Sequence, residues 1–175
     1  MTSDKRKIFL APVSSSNLYR NYHKSVVSGL SNSDFFNYSD TSTYKQKFGD
    51  KKVIRLWGIK NVKKTAFNRA EISDIILFYH KGFIVGKTEI IFKDTNKKLS
   101  DSIWGHDYDK QEYWENLVFL EKYEELYIDF KVLIEFADYS PKASVRGFNI
   151  YSSNGLNAIL NKHKTLDSFL KEHNK

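Results

Sequence analysis

The stretch that decides the fold is residues 74–93, which read DIILFYHKGFIVGKTEIIFK. Asp74 to Tyr79 is a β-rich run that is too apolar to be half exposed, so it predicts a buried strand. Lys81-Gly82 predicts a hairpin turn, and Phe83 to Lys93 predicts a long strand interrupted by Gly86. This part of the chain is therefore predicted to form a pair of strands joined by a tight turn.

Further strands and short helices are predicted on both sides of this hairpin. Strands are predicted at Ile8 to Val13, Val53 to Gly58, Leu117 to Tyr123 and Arg146 to Ser152. Helices are predicted at Asn17 to Leu30, within Lys63 to Ser73, and at Ile128 to Phe136, Asn154 to His163 and Leu166 to His173. The pattern predicts an α+β domain in which a curved β-sheet or small barrel is flanked by short helices.

Two polar stretches are interpreted as loops. Residues 31–51 are rich in Ser, Asp, Asn and Thr, and residues 94–112 carry Trp104 in a polar context. The first stretch is interpreted as a joint. Residues 1–50 are then an N-terminal extension (strand, helix, polar loop) packed on the main domain, which spans residues 51–175.

The composition admits two explanations. The chain has 175 residues, a net charge of +7 and 15% aromatic residues. Such a chain can hold phosphates with Lys and Arg and stack bases on its rings. It can equally carry a solvated lysine surface over an aromatic core. Because there is no cysteine, disulfides, cysteine-bound zinc and a thiol nucleophile are excluded.

The sequence offers no catalytic, metal or membrane motif. Gly86-Lys87-Thr88 resembles the end of a phosphate-binding loop, but Lys81 stands where that motif needs glycine. His106 with Asp107 and Asp109 suggests a metal site, and a solvated acidic loop is the favoured interpretation. No apolar run approaches the roughly 18 residues of a membrane span. We therefore expect a cytoplasmic protein that is not an enzyme and needs no metal or cofactor.

Three short motifs carry a resemblance to a known family. They are residues 56–61 (LWGIKN), residues 77–80 (LFYH) and residues 84–90 (IVGKTEI), with RGFNI at residues 146–150 resembling the family's last strand. In this order they resemble the EVE family of PUA-like domains, over about residues 53–163. The chain departs from the family pattern at Ser73-Asp74, where Gly-Asp is usual, so a non-glycine residue has to make the turn.

The resemblance implies a reader of modified bases. EVE domains are similar to YTH readers of methylated adenine and SRA readers of methylated cytosine, and such modules form the N-terminal DNA-reading domains of some McrBC-type restriction ATPases. It implies a domain that flips a modified base of double-stranded DNA, with N6-methyladenine favoured, into an aromatic pocket. The implied partners are a fused or associated AAA+ ATPase and a nuclease subunit. Methylated cytosine, modified RNA, and a protein-interaction or small-ligand adaptor stay open as alternatives.

The pocket residues are predicted from the same motifs. Trp57 ends a strand beside Gly58, where its ring can face a pocket or the core, and Trp104 in its polar loop is favoured as a pocket wall. Asn61 offers a donor and an acceptor to a base edge, or else caps a helix. Tyr79 and His80 are expected on a strand next to that of Trp57 and are therefore assigned to the same pocket.

Trp114 (EYWEN) is interpreted as a core residue, and a set of basic side chains is assigned to the nucleic-acid backbone. Positive side chains near a pocket can bind phosphates without sequence preference. The set comprises Lys60, Lys63, Lys64, Lys97, Lys98 and Arg146.

Overall fold

The computed structural model describes residues 6–39, 41–106 and 111–175. The strands are β1 (Ile8–Pro12), β2 (Leu30–Ser31), β3 (Val53–Ile59), β4 (Ile75–His80), β5 (Phe83–Thr95), β6 (Asn116–Asp129) and β7 (Asn149–Ile150). The α-helices are α1 (Ser16–Tyr22), α2 (Asn32–Tyr38), α3 (Ser42–Phe48), α4 (Lys64–Arg69), α5 (Lys97–Trp104), α6 (Lys131–Ala137), α7 (Ser153–His163) and α8 (Leu166–His173). A π-helical segment (His23–Val27) follows α1, and a 3₁₀ turn (Asn61–Lys63) precedes α4.

The strands form one open mixed sheet in the order β2-β3-β6-β5-β4-β1-β7. β1 pairs with β4 in parallel, and the other neighbours are antiparallel. The predicted α+β class is thereby confirmed. β6 and β5 separate β3 from β4, so the expectation that Tyr79 and His80 lie on a strand next to that of Trp57 is wrong.

The central hairpin is confirmed and is strongly bent. Lys81 and Gly82 both have positive φ, 44° and 93°, as a tight hairpin turn requires. β5 and β6 run for 13 and 14 residues, and their pairing shifts register at three places. Because each shift bends a strand and increases its twist, the sheet is curved as predicted.

Hydrophobic clusters lie on both faces of the sheet. Successive residues of β1 and of β4 are buried on opposite faces. Ile8, Leu10 and Leu77 belong to a cluster that includes residues of α6, α7 and α8. Phe9 and Phe78, next to them in sequence, belong to a second cluster, on the face that carries Trp57. This alternation is the period of two of a strand, and it divides the rings of β4 between the two faces.

The prediction of a loop at residues 31–51 is wrong, because this segment contains α2 and α3. The hydroxyls of Ser31 and Thr41 accept from backbone N–H groups in the first turns of these helices. Phe35, Tyr44 and Phe48 are at most 2% exposed and pack in a third cluster with Leu56 and Phe119. Side-chain caps and three buried rings therefore outweigh a composition that is typical of loops.

Several other predicted helices and strands have different boundaries in the structure. The stretch predicted as a loop around Trp104 contains α5, which begins at the Asn96 cap. The predicted helix at Ile128 to Phe136 holds the end of β6 as well as α6, and the strand predicted at Arg146 to Ser152 is only Asn149–Ile150. The prediction for α8 is confirmed, and the turn before β4 is made by Ser73 with φ of 75°, as the departure from glycine required.

The described part of residues 1–50 shares the sheet with the rest of the chain. β1 lies between β4 and β7, and β2 pairs with β3. A division of the chain at residue 50 stays a prediction. No helix within the described ranges has the length and apolar character that a membrane crossing needs.

Candidate nucleic-acid interface

A cavity of about 730 Å³ opens between α1, the end of β3 and the segments that follow α5 and precede β6. Its volume is in the range of small-molecule sites, about 300–1,000 Å³. Three tryptophans line it: Trp57, Trp104 and Trp114. Residues that lie far apart in the sequence are therefore brought together around one space.

Trp57 forms part of the cavity wall while its ring packs into the core. The residue is 4% exposed and belongs to the cluster of Phe9 and Phe78. Its ring meets Phe78 edge to face, with centroids 5.6 Å apart and an interplanar angle of 87°. Both interpretations that the sequence left open, core packing and pocket wall, therefore apply to one ring.

Trp104 lines the cavity from the last turn of α5. Its indole Nε1–H donates to the Oγ of Ser25 at 3.3 Å. Ser25 is fully buried and donates in turn to the carbonyl of Asn21 at 2.9 Å. The orientation of this ring is thus tied to the helical segment on the other side of the cavity.

Trp114 lines the cavity as well, so its interpretation as a core residue is wrong. Gly58 makes its position possible, because a Cβ on Gly58 would lie 2.5 Å from the Trp114 Cβ and 2.6 Å from Cζ3 of Trp104. Lys60 Nζ lies 5.2 Å from the Trp114 ring centroid, within the distance of a cation–π contact. The glycine leaves room for two indoles that face the same space.

The remaining wall is formed by one further ring and by α1. Phe148 lines the cavity and stacks on Phe9, with centroids 5.0 Å apart and an interplanar angle of 5°. α1 contributes Asn17, Leu18 and Asn21 to the lining. An apolar, aromatic cavity with a few polar groups is typical of a site for a flat organic ligand.

Positive charge surrounds this aromatic space. Arg20, Lys60 and Lys63 line the cavity. Lys60 pairs with Glu112 at 2.6 Å, Lys63 Nζ donates to the Asn149 side chain at 3.2 Å, and Arg20 donates to the Asn17 side chain at 3.1 Å. The assignment of Lys60 and Lys63 to the nucleic-acid backbone stays a prediction, and Arg20 is a further basic residue at the cavity.

Two residues predicted for the pocket do not reach this cavity. Tyr79 packs on the opposite face of the sheet, with its ring 5.0 Å from that of Phe130. The His80 Nδ1 lies 3.0 Å from the carbonyl oxygen of Val13, and its ring stacks near Tyr19 in a different pocket. Tyr79 points to the opposite face of β4, and β5 and β6 separate β4 from the strand that carries Trp57.

The other predicted residues are exposed and lie outside the lining. Asn61 begins the 3₁₀ turn, and Lys97 lies 4.0 Å from the ring centroid of Tyr113. The full set is Asn61, Lys64, Lys97, Lys98 and Arg146. Their assignment to a nucleic-acid surface stays a prediction.

No metal centre is found in the described part of the chain. Within residues 6–39, 41–106 and 111–175, no group of three or more His, Asp or Glu side chains could hold an ion. His106 lines the cavity, and its Nδ1 lies 2.7 Å from Asp101. Asp107 and Asp109, which the sequence placed beside it, lie outside the described residues.

Sequence reasoning missed several residues of the cavity. Trp114 could have been found by the argument used for Trp104, since both stand among polar residues. Asn21 and Phe148 carry no such signal, because α1 and the segment before β7 meet the cavity only through the tertiary fold. Gly58 was noted as a neighbour of Trp57, but its contact with two further indoles cannot be deduced from spacing.

Strong pKa shifts lie in the protein interior. Burial and the hydrogen bond to the Tyr123 hydroxyl raise the pKa of Tyr22, which ends α1 and does not line the cavity. Burial also raises the pKa of Tyr151, and burial with the bond to Asp94 raises that of Tyr44. These shifts bear on stability at alkaline pH.

Solved structures with the same fold bind methylated nucleic acids. The N-terminal domain of Thermococcus gammatolerans McrB, bound to m5C DNA, matches with a TM-score of 0.67 and 13% identity, over 91% of this chain and 98% of that one. The Pho92 YTH domain in complex with m6A matches with a TM-score of 0.50 and 16% identity, over 94% and 89%. The YTH domain of Zygosaccharomyces rouxii MRB1, in complex with N6-methyladenosine RNA, matches with a TM-score of 0.50 and 14% identity, over 91% and 87%.

These likenesses show the fold. The chain has the fold of the McrB N-terminal domain and of YTH domains, as the resemblance of its motifs implied. No family model matches it, and no curated protein matches it significantly in sequence.

Proposed function

We propose that this domain reads a modified base of double-stranded DNA by taking the base out of the helix and into the tryptophan-lined cavity. The observation that carries the proposal is the placement of Trp57, Trp104 and Trp114 around one space next to lysine and arginine side chains. The shared fold with domains solved on methylated nucleic acids supports it. The domain itself is proposed to have no catalytic activity.

The energetics of such a cavity are favourable. Extruding a base costs a few kcal/mol of stacking and pairing. Stacking on aromatic side chains returns about 1–3 kcal/mol for the base, and burial of a methyl group adds about 0.8 kcal/mol. Three indoles can therefore offset the cost of flipping, and the methyl contribution decides between a modified base and its unmodified counterpart.

The basic side chains supply the remaining affinity. Arg20, Lys60 and Lys63 line the cavity, and we propose that they contact the DNA backbone. Such phosphate contacts position DNA without reading its sequence. We extend this surface to the exposed basic residues predicted from the sequence. They are Lys64, Lys97, Lys98 and Arg146.

N6-methyladenine is the base that the family resemblance favours, and 5-methylcytosine is the alternative that the McrB domain on m5C DNA supports. A cavity of about 730 Å³ has room for a purine as well as a pyrimidine. Titration with duplexes that carry one N6-methyladenine, one 5-methylcytosine or neither identifies the base. A matched methylated RNA tests the alternative that the YTH likeness supports.

The aromatic residues are tested in the same assay. Trp57→Ala, Trp104→Ala and Trp114→Ala are each expected to remove the preference for the modified duplex. Tyr127→Ala is the matched control, because Tyr127 is 49% exposed and does not line the cavity. Retained preference in the tryptophan variants would contradict the pocket assignment. Failure to bind any nucleic acid at low salt would contradict the reader function and favour an adaptor role.

The biological context is proposed to be a modification-dependent restriction complex. In this role the domain delivers an AAA+ ATPase and a nuclease subunit to methylated DNA. The coding region around this chain is the test: an ATPase module fused to the domain or encoded beside it supports the proposal, and an unrelated neighbourhood contradicts it.

A further inference from the structure

Within the described residues, one side-chain amide beside the tryptophans makes no hydrogen bond although its residue is largely buried. Asn21 lies on α1, is 8% exposed and lines the cavity. Its backbone carbonyl accepts from Ser25 at 2.9 Å. Across the described ranges, no group hydrogen-bonds its side-chain amide. A donor and an acceptor are thus held at the cavity without a partner.

Asn21 differs from the other buried polar side chains that lack a partner. The hydroxyls of Thr88 and Ser100 are sealed inside the protein, and neither residue lines the cavity. The amide atoms of Asn21 are not sealed in this way, so their hydrogen-bonding capacity is open to a ligand in the cavity.

We propose that the side-chain amide of Asn21 reads the edge of the base in the cavity, and that the base offers an N–H donor beside a ring-nitrogen acceptor. Oδ1 accepts from the exocyclic N–H, and Nδ2 donates to the ring nitrogen. Derivatives of adenine and of cytosine present this pair, including those with one methyl group on N6 or on C5. This inference rests on the proposed function and names the residue that recognises the base.

The backbone of Asn21 is tied to a stacking ring. Ser25 lies one turn further along and donates to the Asn21 backbone carbonyl, while it accepts from the Trp104 indole. The same turn of the chain therefore places the α-carbon of Asn21 and an aromatic wall relative to each other. Such an arrangement lowers the ordering cost of binding, because the backbone and the ring are already in place when the base enters.

The test compares two substitutions with a matched control. Asn21→Leu removes both hydrogen-bonding atoms at similar size, and Asn21→Asp keeps the acceptor but loses the donor. Asn157→Leu is the control, because Asn157 is an exposed residue of helix α7 outside the cavity. The probes are fluorescent duplexes with one N6-methyladenine, with one 5-methylcytosine, or unmodified.

We expect both Asn21 variants to bind the modified duplex about tenfold or more weakly than the wild type does, the scale of a bidentate base contact. The Asn157 control should keep the wild-type affinity. Asn21→Leu should melt near the wild-type temperature, because the Asn21 side chain makes no hydrogen bond within the described residues. A structural asparagine would show the opposite pattern, namely lower stability with unchanged affinity for the modified duplex.

The outcomes separate the two levels of the proposal. If the wild-type protein does not distinguish modified from unmodified DNA, the reader function fails and the role of Asn21 fails with it. If the wild type discriminates and Asn21→Leu binds the modified duplex as tightly as the wild type does, only the role of Asn21 is overturned.

A measurement on the wild-type protein keeps the inference testable if the variants do not fold. The ¹⁵N-labelled domain is titrated with N6-methyl-2′-deoxyadenosine and with 5-methyl-2′-deoxycytidine. One of them should shift the Asn21 side-chain resonance together with the Trp104 indole resonance. A shift of the indole alone would overturn the role of Asn21.

Discussion

The indole Nε1–H of Trp104 donates to the hydroxyl of Ser25 across 79 positions of sequence, at 3.3 Å. Ser25 has no exposed surface, and its hydroxyl donates a hydrogen bond to the backbone carbonyl of Asn21. A ring at the end of α5 is thereby held by the π-helical segment that follows α1. Such segments interrupt α-helices frequently at functional sites.

Replacing Ser25 should loosen this ring. Ser25→Ala removes both hydrogen bonds, each worth about 1 kcal/mol, so we expect a few-fold to tenfold weaker binding of modified DNA and a small loss of stability. Ser102→Ala is the control, because the Ser102 hydroxyl also bonds a carbonyl four residues earlier, that of Lys98, but is exposed. Equal binding by both variants, measured by fluorescence anisotropy, would show that Trp104 is held by other contacts.

Gly58→Ala should narrow the cavity, because the added methyl group would overlap the tryptophans that line it. The added Cβ would lie 2.5 Å from the Trp114 Cβ and 2.7 Å from the Trp114 carbonyl oxygen, so the backbone itself has to shift. Overpacking of this kind costs about 1–3 kcal/mol. We expect a lower urea midpoint and loss of modified-base preference, measured by unfolding and by titration. An unchanged preference would place the base away from Gly58.

Lys63 is expected to contact a phosphate. Lys63→Gln should reduce the slope of log affinity against log salt concentration by about one, and weaken modified and unmodified duplexes alike. Lys52→Gln provides the control, because Lys52 is exposed and does not line the cavity. Titrations at several salt concentrations measure the slopes. Identical slopes for both variants and the wild type would remove Lys63 from the DNA surface.

The protein should lose stability steeply above about pH 10. Tyr22, Tyr44 and Tyr151 are at most 2% exposed, and burial raises the pKa of each. In the unfolded chain a tyrosine ionises near pH 10, so from that pH upward the unfolded state binds fewer protons than the folded state. Stability then falls by about 1.4 kcal/mol per pH unit for each such tyrosine, until the folded-state pKa is reached.

Urea unfolding at pH 8 to 11 measures this loss. Tyr151→Phe should make the decline shallower by about 1.4 kcal/mol per pH unit, because one titrating group is removed. Since the Tyr151 hydroxyl also donates to the Leu133 carbonyl at 2.7 Å, the slopes are compared rather than the absolute stabilities. A slope that is the same in the variant would assign the alkaline transition to other groups.

The parts of the fold that local pattern determines were predicted well. The apolar run of β4, the Lys81-Gly82 turn and the helix at Leu166–His173 all follow from short-range periodicity and turn chemistry. α2 and α3 were missed because capping serine and threonine residues also dominate loops. Local composition could not weigh the burial of Phe35 and Phe48, which depends on β3 and β6.

The sequence predicted a cavity residue correctly where an aromatic side chain stands among polar residues. It failed where the order of the strands in the sheet determines which residues meet. Trp104 lines the cavity as expected, whereas Tyr79 does not, since β4 lies three places from β3 in the sheet. Asn61 was chosen for its chemistry, and the structure places the same amide chemistry at Asn21. Which of two asparagines meets a cavity depends on tertiary packing.

The position of β1 between β4 and β7 has a consequence for the order of folding. β1 is made first, but its parallel partner begins 67 residues later at Ile75, and its antiparallel partner follows at Asn149–Ile150. A growing chain can therefore pair one edge of β1 with β4, but the other edge stays open until Asn149 and Ile150 have been made. Contacts at such separation slow folding, so the last steps should be the slowest and leave that edge of β1 open to chaperones or to aggregation until they are complete.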